Sequence, residues 1–122
     1  MPVTYEVDDV QNAIYAWVSG VVGEDDFLAY VEQFLADSRI RPGYRELVDA
    51  TAATPGNITT ELFDRIAALG RQHPAVLAGS RAAIVVPPGR SYDLARQYQR
   101  MAPVEMEVFL NLDSAREWLG IR

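Results

Sequence analysis

Cysteine and lysine are both missing from the 122 residues, and histidine occurs once. Without a thiol there is no disulfide, no thiolate nucleophile and no cysteine-ligated metal, so whole classes of chemistry fall away. The single histidine, His73, stands before Pro74 at a predicted helix end. A contact with the last helical carbonyls accounts for it more simply than proton transfer does. Long apolar runs are also absent, and no stretch approaches the ~20 residues needed to cross a bilayer. The opening Met1-Pro-Val-Thr-Tyr-Glu-Val-Asp-Asp lacks the basic and apolar regions of a signal peptide. A cytoplasmic chain with no integral membrane segment is expected. No repeat, low-complexity tract or Gly/Ser/Pro linker divides it, so residues 1–122 are read as one domain.

What is present suits a globular fold. Apolar residues make up 49% of the chain and charged residues 23%, enough of the first to build a core and of the second to solvate its surface. The net charge of -6 is uneven: residues 1–37 hold eight acids and no base, whereas residues 71–104 hold Arg71, Arg81, Arg90, Arg96 and Arg100 against Asp93 alone. Overall acidity argues against non-specific nucleic-acid binding, which needs many phosphate contacts. The arginine-rich stretch leaves room for an anionic ligand or an acidic partner.

Two alternating runs, Val3 to Asp8 and Ala13 to Val21, flank the turn-prone Asp9, Gln11 and Asn12, and predict an antiparallel hairpin. Glu24, Asp25 and Asp26 open a helix whose Phe27, Tyr30, Val31, Phe34 and Leu35 form one apolar stripe. After Pro42-Gly43 a strand is predicted over Tyr44 to Asp49, followed by a polar loop from Ala50 to Thr60. Thr59 then caps a helix directing Leu62, Phe63, Ile66 and Leu69 inward. Arg81 to Val86 reads as a strand covered on both faces. Beyond Pro87-Pro88-Gly89, Ser91 is expected to cap a helix carrying Tyr92, Leu94, Ala95, Tyr98 and Met101. A strand from Glu105 to Leu110 and a helix capped by Asp113 complete an α/β chain of order ββαβαβαβα, with a mixed sheet of about five strands.

That order, with Thr4-Tyr-Glu-Val, Val18-Ser-Gly, Leu47-Val-Asp-Ala-Thr, Gly79-Ser-Arg-Ala-Ala-Ile-Val, Leu94-Ala-Arg-Gln-Tyr and Phe109-Leu-Asn-Leu-Asp-Ser-Ala-Arg-Glu-Trp-Leu-Gly, resembles the STAS fold. More narrowly it resembles the bacterial SpoIIAA-like family related to anti-sigma-factor antagonists. The resemblance covers almost the whole chain and implies a small, non-enzymatic binding or regulatory module. Such a module takes a protein partner or a small amphiphilic or anionic ligand, and the fold is also likened to lipid-binding Sec14-type domains. Asp49 matches the acid that ends the third strand in the antagonists. Their phosphorylated Asp-Ser-Ser-Gly turn is replaced here by Asn57-Ile-Thr-Thr-Glu-Leu, which leaves Thr59 and Thr60 as the phosphorylation candidates. A phosphate there would meet a helix N-terminus.

No nucleophile elbow or phosphate-binding glycine loop is found, and no cofactor or metal is expected. The acids Asp8, Asp9 and Glu24 to Asp26 are read as turn and helix-start residues rather than as cation ligands. In open α/β sheets, ligands bind beyond the carboxyl ends of the parallel strands. The expected binding residues are therefore Asp49, Thr51, Arg90, Ser91, Tyr92 and Tyr98, with Arg90 and helix amides holding a polar head beside an apolar slot. Tyr5, Tyr15 and Trp17 give the hairpin large side chains across which a second copy can pack as a homodimer.

Overall fold

The structure, a computed structural model, describes residues 2–56 and 58–122; Asn57 of the loop quoted above lies outside them. β1 (Val3–Asp8) and β2 (Ala13–Val22) form the antiparallel hairpin, with Val3 opposite Val18 and Asp8 opposite Ala13. Its turn is built by side chains. Asp8 Oδ1 accepts from the amides of Val10 and Gln11, both at 3.1 Å. Asn12 adopts φ 54° and donates through Nδ2 to the carbonyls of Arg41 and Pro42. That contact ties the hairpin to the segment entering β3 (Arg45–Pro55).

β3, β4 (Arg81–Val85) and β5 (Glu105–Phe109) add in parallel, so the five strands lie in chain order β1-β2-β3-β4-β5. Helices α1 (Glu24–Leu35), α2 (Thr60–Arg71) and α4 (Arg90–Gln99) make the crossovers, with a single turn α3 (Pro74–Leu77) before β4. Right-handed crossovers between strands added steadily in one direction all fall on the same face of the sheet. Their apolar stripes accordingly meet one cluster containing Ile14, Val18, Tyr30, Phe34, Leu62 and Ala95. The final helix α5 (Leu112–Leu119) folds back on the other face. There Ala115 and Leu119 pack on Leu47, Ala83 and Val85.

α5 contacts β3, β4 and β5, and the hairpin end of its face is less covered: Trp17 of β2 is 43% exposed. The other two large hairpin side chains are engaged inside the chain. Tyr5 donates to Asp37 Oδ2 at 3.0 Å and stands edge-on to Tyr30. Tyr15 packs with the α5 cluster and donates to the Arg122 carbonyl.

Several boundaries differ from the sequence expectation for identifiable reasons. Residues 50–55, read as loop, extend β3, because Ser19 to Val22 continues past the other strands and supplies a parallel partner for Ala52 to Pro55, with a register shift between Trp17 and Ser19. Backbone pairing rather than an apolar pattern makes this stretch a strand. α4 is preceded by Gly89 at φ 101°, a conformation that favours glycine, so Ser91 is the second helical residue and not the cap. In α5 the cap is Asn111, whose Oδ1 accepts from the Ser114 amide at 2.9 Å, while Asp113 lies in the first turn. Met101, expected to face inward, is exposed.

Gly70, buried within α2, has a packing role. A Cβ there would stand 2.7 Å from Pro103 Cγ and 3.2 Å from Leu77 Cδ1. Alanine in a helix interior ordinarily gains about 1 kcal/mol over glycine. Gly70→Ala is instead expected to lose about 1–3 kcal/mol in urea unfolding, as overpacking does, with part of the loss recovered by adding Pro103→Ala. A Gly70→Ala protein as stable as the parent would show that the 103 loop yields freely.

Candidate binding cavity

The stripes that bury α1, α2 and α4 do not fill the space beneath them. Small side chains face it from the sheet and from α4, namely Ala50, Ala53, Ala82 and Ala95, and a cavity of about 170 Å³ remains between sheet and helices. Thr54, Pro55 and Ser91 line it near the carboxyl ends of the strands, and Gly70, Leu77 and Pro103 line it near the opposite end. Between them its wall is apolar apart from a group of tyrosines around Glu46.

Glu46 reaches this position through strand periodicity. Side chains alternate between faces; Leu47 packs under α5, so Glu46 and Val48 face the crossover helices. Only 8% of Glu46 is exposed, and its Oε2 accepts a hydrogen bond from the Tyr30 hydroxyl of α1. Burial lifts the carboxyl from its ordinary 4.5 to about 6, with the Tyr30 bond pulling the other way. Tyr30, Tyr44 and Tyr98 are all raised, first by burial and then by the negative charge of Glu46, and so stay protonated across the physiological range. One carboxylate is thus surrounded by neutral phenols arriving from α1, from the residue before β3, and from α4.

Glu46 went unremarked in the sequence, although a signal was there. A strand paired on both sides in a parallel sheet is normally a continuous apolar run, and an acid beside Leu47-Val48 breaks that run from within.

Of the residues expected to form the site, Ser91 and Tyr98 line the cavity. Asp49 does not join them. It pairs in register with Val85, whose side chain lies in the α5-side cluster, so Asp49 points to the opposite face. There it accepts from the Thr51 amide at 3.1 Å and the Thr51 hydroxyl at 2.6 Å. Arg90 donates through Nη1 to the carbonyls of Pro55 and Gly56, clamping the β3 to α2 connection. Tyr92 packs against the main core cluster. The expected convergence of Asp49 with Arg90 on one surface is therefore absent, because the period of two in β3 and the one-sided crossovers separate them.

Thr59 is the N-cap residue of α2 as expected, but its hydroxyl makes no capping hydrogen bond and donates instead to Glu24 Oε1 at 2.9 Å, and Thr60 is the exposed first helical residue. The arginine-rich stretch is likewise dispersed. Arg81 lies 4.4 Å from the Trp118 ring centroid and pairs with Glu105, while Arg96 pairs with Glu107 at 3.5 Å.

The buried carboxyl has a signed consequence for stability. Because its folded value is raised, the folded state holds the proton more tightly than the unfolded chain. The associated stabilisation is fully present below about 4.5 and is lost as pH rises through about 6. The loss amounts to about 2 kcal/mol, at 1.36 kcal/mol per tenfold change in proton affinity. Asp37, held well below the carboxylate range by its hydrogen bonds from Arg39, acts in the opposite sense and at lower pH. The difference in unfolding free energy between the parent and Glu46→Gln isolates the first effect. It is expected to change by about 2 kcal/mol between pH 4 and pH 7.5, against the parent at the higher pH. A difference independent of pH would mean that Glu46 is solvated.

No family model matches the chain, and no curated protein matches it. Among solved structures it is similar to an uncharacterised protein of the DUF3478 family, with a SpoIIAA-like fold, from Shewanella loihica PV-4. The TM-score is 0.62 at 18% identity, over 96% of this chain and 93% of that one. The fold of this chain, a five-stranded mixed sheet with helices in the expected order, is SpoIIAA-like.

Proposed function

We propose that the protein is a non-enzymatic binding module that holds a small amphiphilic molecule between its sheet and the helices α1, α2 and α4. The observation that carries this reading is the apolar cavity of about 170 Å³. Close packing normally leaves few voids larger than a water molecule, and an unfilled apolar space forfeits dispersion contacts that a ligand would restore. An engineered cavity of about 150 Å³ lined by aliphatic and aromatic side chains takes up benzene, so the scale fits one ring or a short chain.

Phosphorylation-controlled antagonism is less well supported. A phosphate on Thr59 would be set beside the carboxylate of Glu24, which already receives the Thr59 hydroxyl and has Arg65 at 3.9 Å. Repulsion there offsets the attraction of the helix end.

Native mass spectrometry of protein purified from its own host is expected to reveal a retained small molecule that is released on unfolding. Propylbenzene added to the emptied protein is expected to raise the thermal midpoint, by an amount equivalent to about 2.7 kcal/mol at a hundredfold excess over Kd. Ala95→Phe, which fills the space from α4, is expected to abolish both effects while remaining folded by circular dichroism. Absence of a retained mass together with no thermal response in the parent would dismiss the reading.

A further inference from the structure

We infer that Glu46 makes this cavity selective for apolar molecules that carry one hydrogen-bond donor, an alcohol or an amine, and against molecules that end in a carboxylate. The inference rests on the reading that the cavity is a binding site, and it names the ligand class. Among the described residues, Glu46 is the single charged one of the lining. No arginine or histidine among them reaches the cavity wall, so none of them can neutralise an entering anion.

The carboxylate is placed to receive a donor. A carboxylate offers about four acceptor positions, and Tyr30 is the one donor to Glu46 side-chain oxygens in the hydrogen bonds of the described residues. A ligand hydroxyl or ammonium can donate to one of the remaining positions, in a low-dielectric space where such a bond is strong. A ligand carboxylate would bring a second negative charge into the same low-dielectric space, where like charges oppose one another most. No cation among the described groups facing Glu46 offsets that repulsion. Tyr30, Tyr44 and Tyr98 are neutral phenols, and α2 contributes Leu62, Phe63 and Ile66.

Four probes of one shape separate the possibilities: propylbenzene, 3-phenylpropan-1-ol, 3-phenylpropylamine and 3-phenylpropanoate, titrated at pH 8 by calorimetry and by the protein's NMR shifts. In the parent protein the alcohol and the amine are expected to bind at least about tenfold more tightly than the propanoate, the scale of a hydrogen bond to a charged group. In Glu46→Gln, which keeps the shape and the Tyr30 bond, the alcohol-to-propanoate ratio is expected to fall within about threefold. Tyr30→Phe keeps the charge and frees Oε2, so it is expected to hold or widen the ratio, and it serves if the glutamine variant does not fold. Propanoate binding within threefold of the alcohol in the parent, or an unchanged ratio in Glu46→Gln, overturns the role of Glu46. In either case the cavity still binds and the broader reading stands. If none of the four binds, propylbenzene included, both readings fall.

Discussion

The direction of the crossovers governs the rest of this structure. Strands β2 to β5 are laid down in chain order, and each right-handed connection returns on the same side. Three crossover helices therefore compete for one face of a five-stranded sheet, while a single C-terminal helix serves the other. The crowded face cannot be closed by helix stripes alone, because the alanines of β3, β4 and α4 leave a gap beneath them. The sparse face leaves Trp17 partly in solvent at the hairpin end. Cavity and half-covered face are two results of one topological rule.

Within that arrangement the carboxylate at position 46 is the costly element. A charge withdrawn from water is tolerated when hydrogen bonds replace part of its hydration, and Tyr30 supplies one such bond from the first crossover helix. Tyr30 is in turn held by rings on both sides, Tyr5 at 5.6 Å and Phe34 at 5.2 Å, and Phe34 continues the contact to Tyr44. Edge-on and tilted aromatic pairs of this kind contribute beyond their buried area. The aromatic row thus positions the donor that makes a buried acid tenable. An aliphatic residue at 46 would pack at lower cost.

Much of the architecture was legible along the chain. The alternation of Val3, Tyr5 and Val7 and the helical spacing of Phe27, Tyr30, Val31 and Phe34 report burial directly, since a period of two or of 3.6 is how one face is kept dry. Residues 50–55 were not legible, because Ala-Thr-Ala-Ala-Thr-Pro carries no such pattern and becomes a strand only beside the overhanging end of β2. The site was legible in part. Ser91 and Tyr98 do line the cavity, but Asp49 and Arg90, grouped by their place at strand ends, are parted by the sheet itself. Glu46 was hidden because the chain lists an acid next to apolar residues without saying which face it takes or what lies opposite.

Local composition and periodicity determined the order of the five strands and the four longer helices, though not the single turn α3 or residues 50–55 of β3, and that thiol chemistry has no place here. Those properties depend on neighbours within a few residues of one another. Only the tertiary structure decided that three helices share one face, that a cavity survives beneath them, and that Tyr30, Tyr44 and Tyr98 gather around Glu46. These are contacts between residues far apart in the chain, fixed by the hand of the crossovers and the register of the strands, which a one-dimensional pattern does not encode.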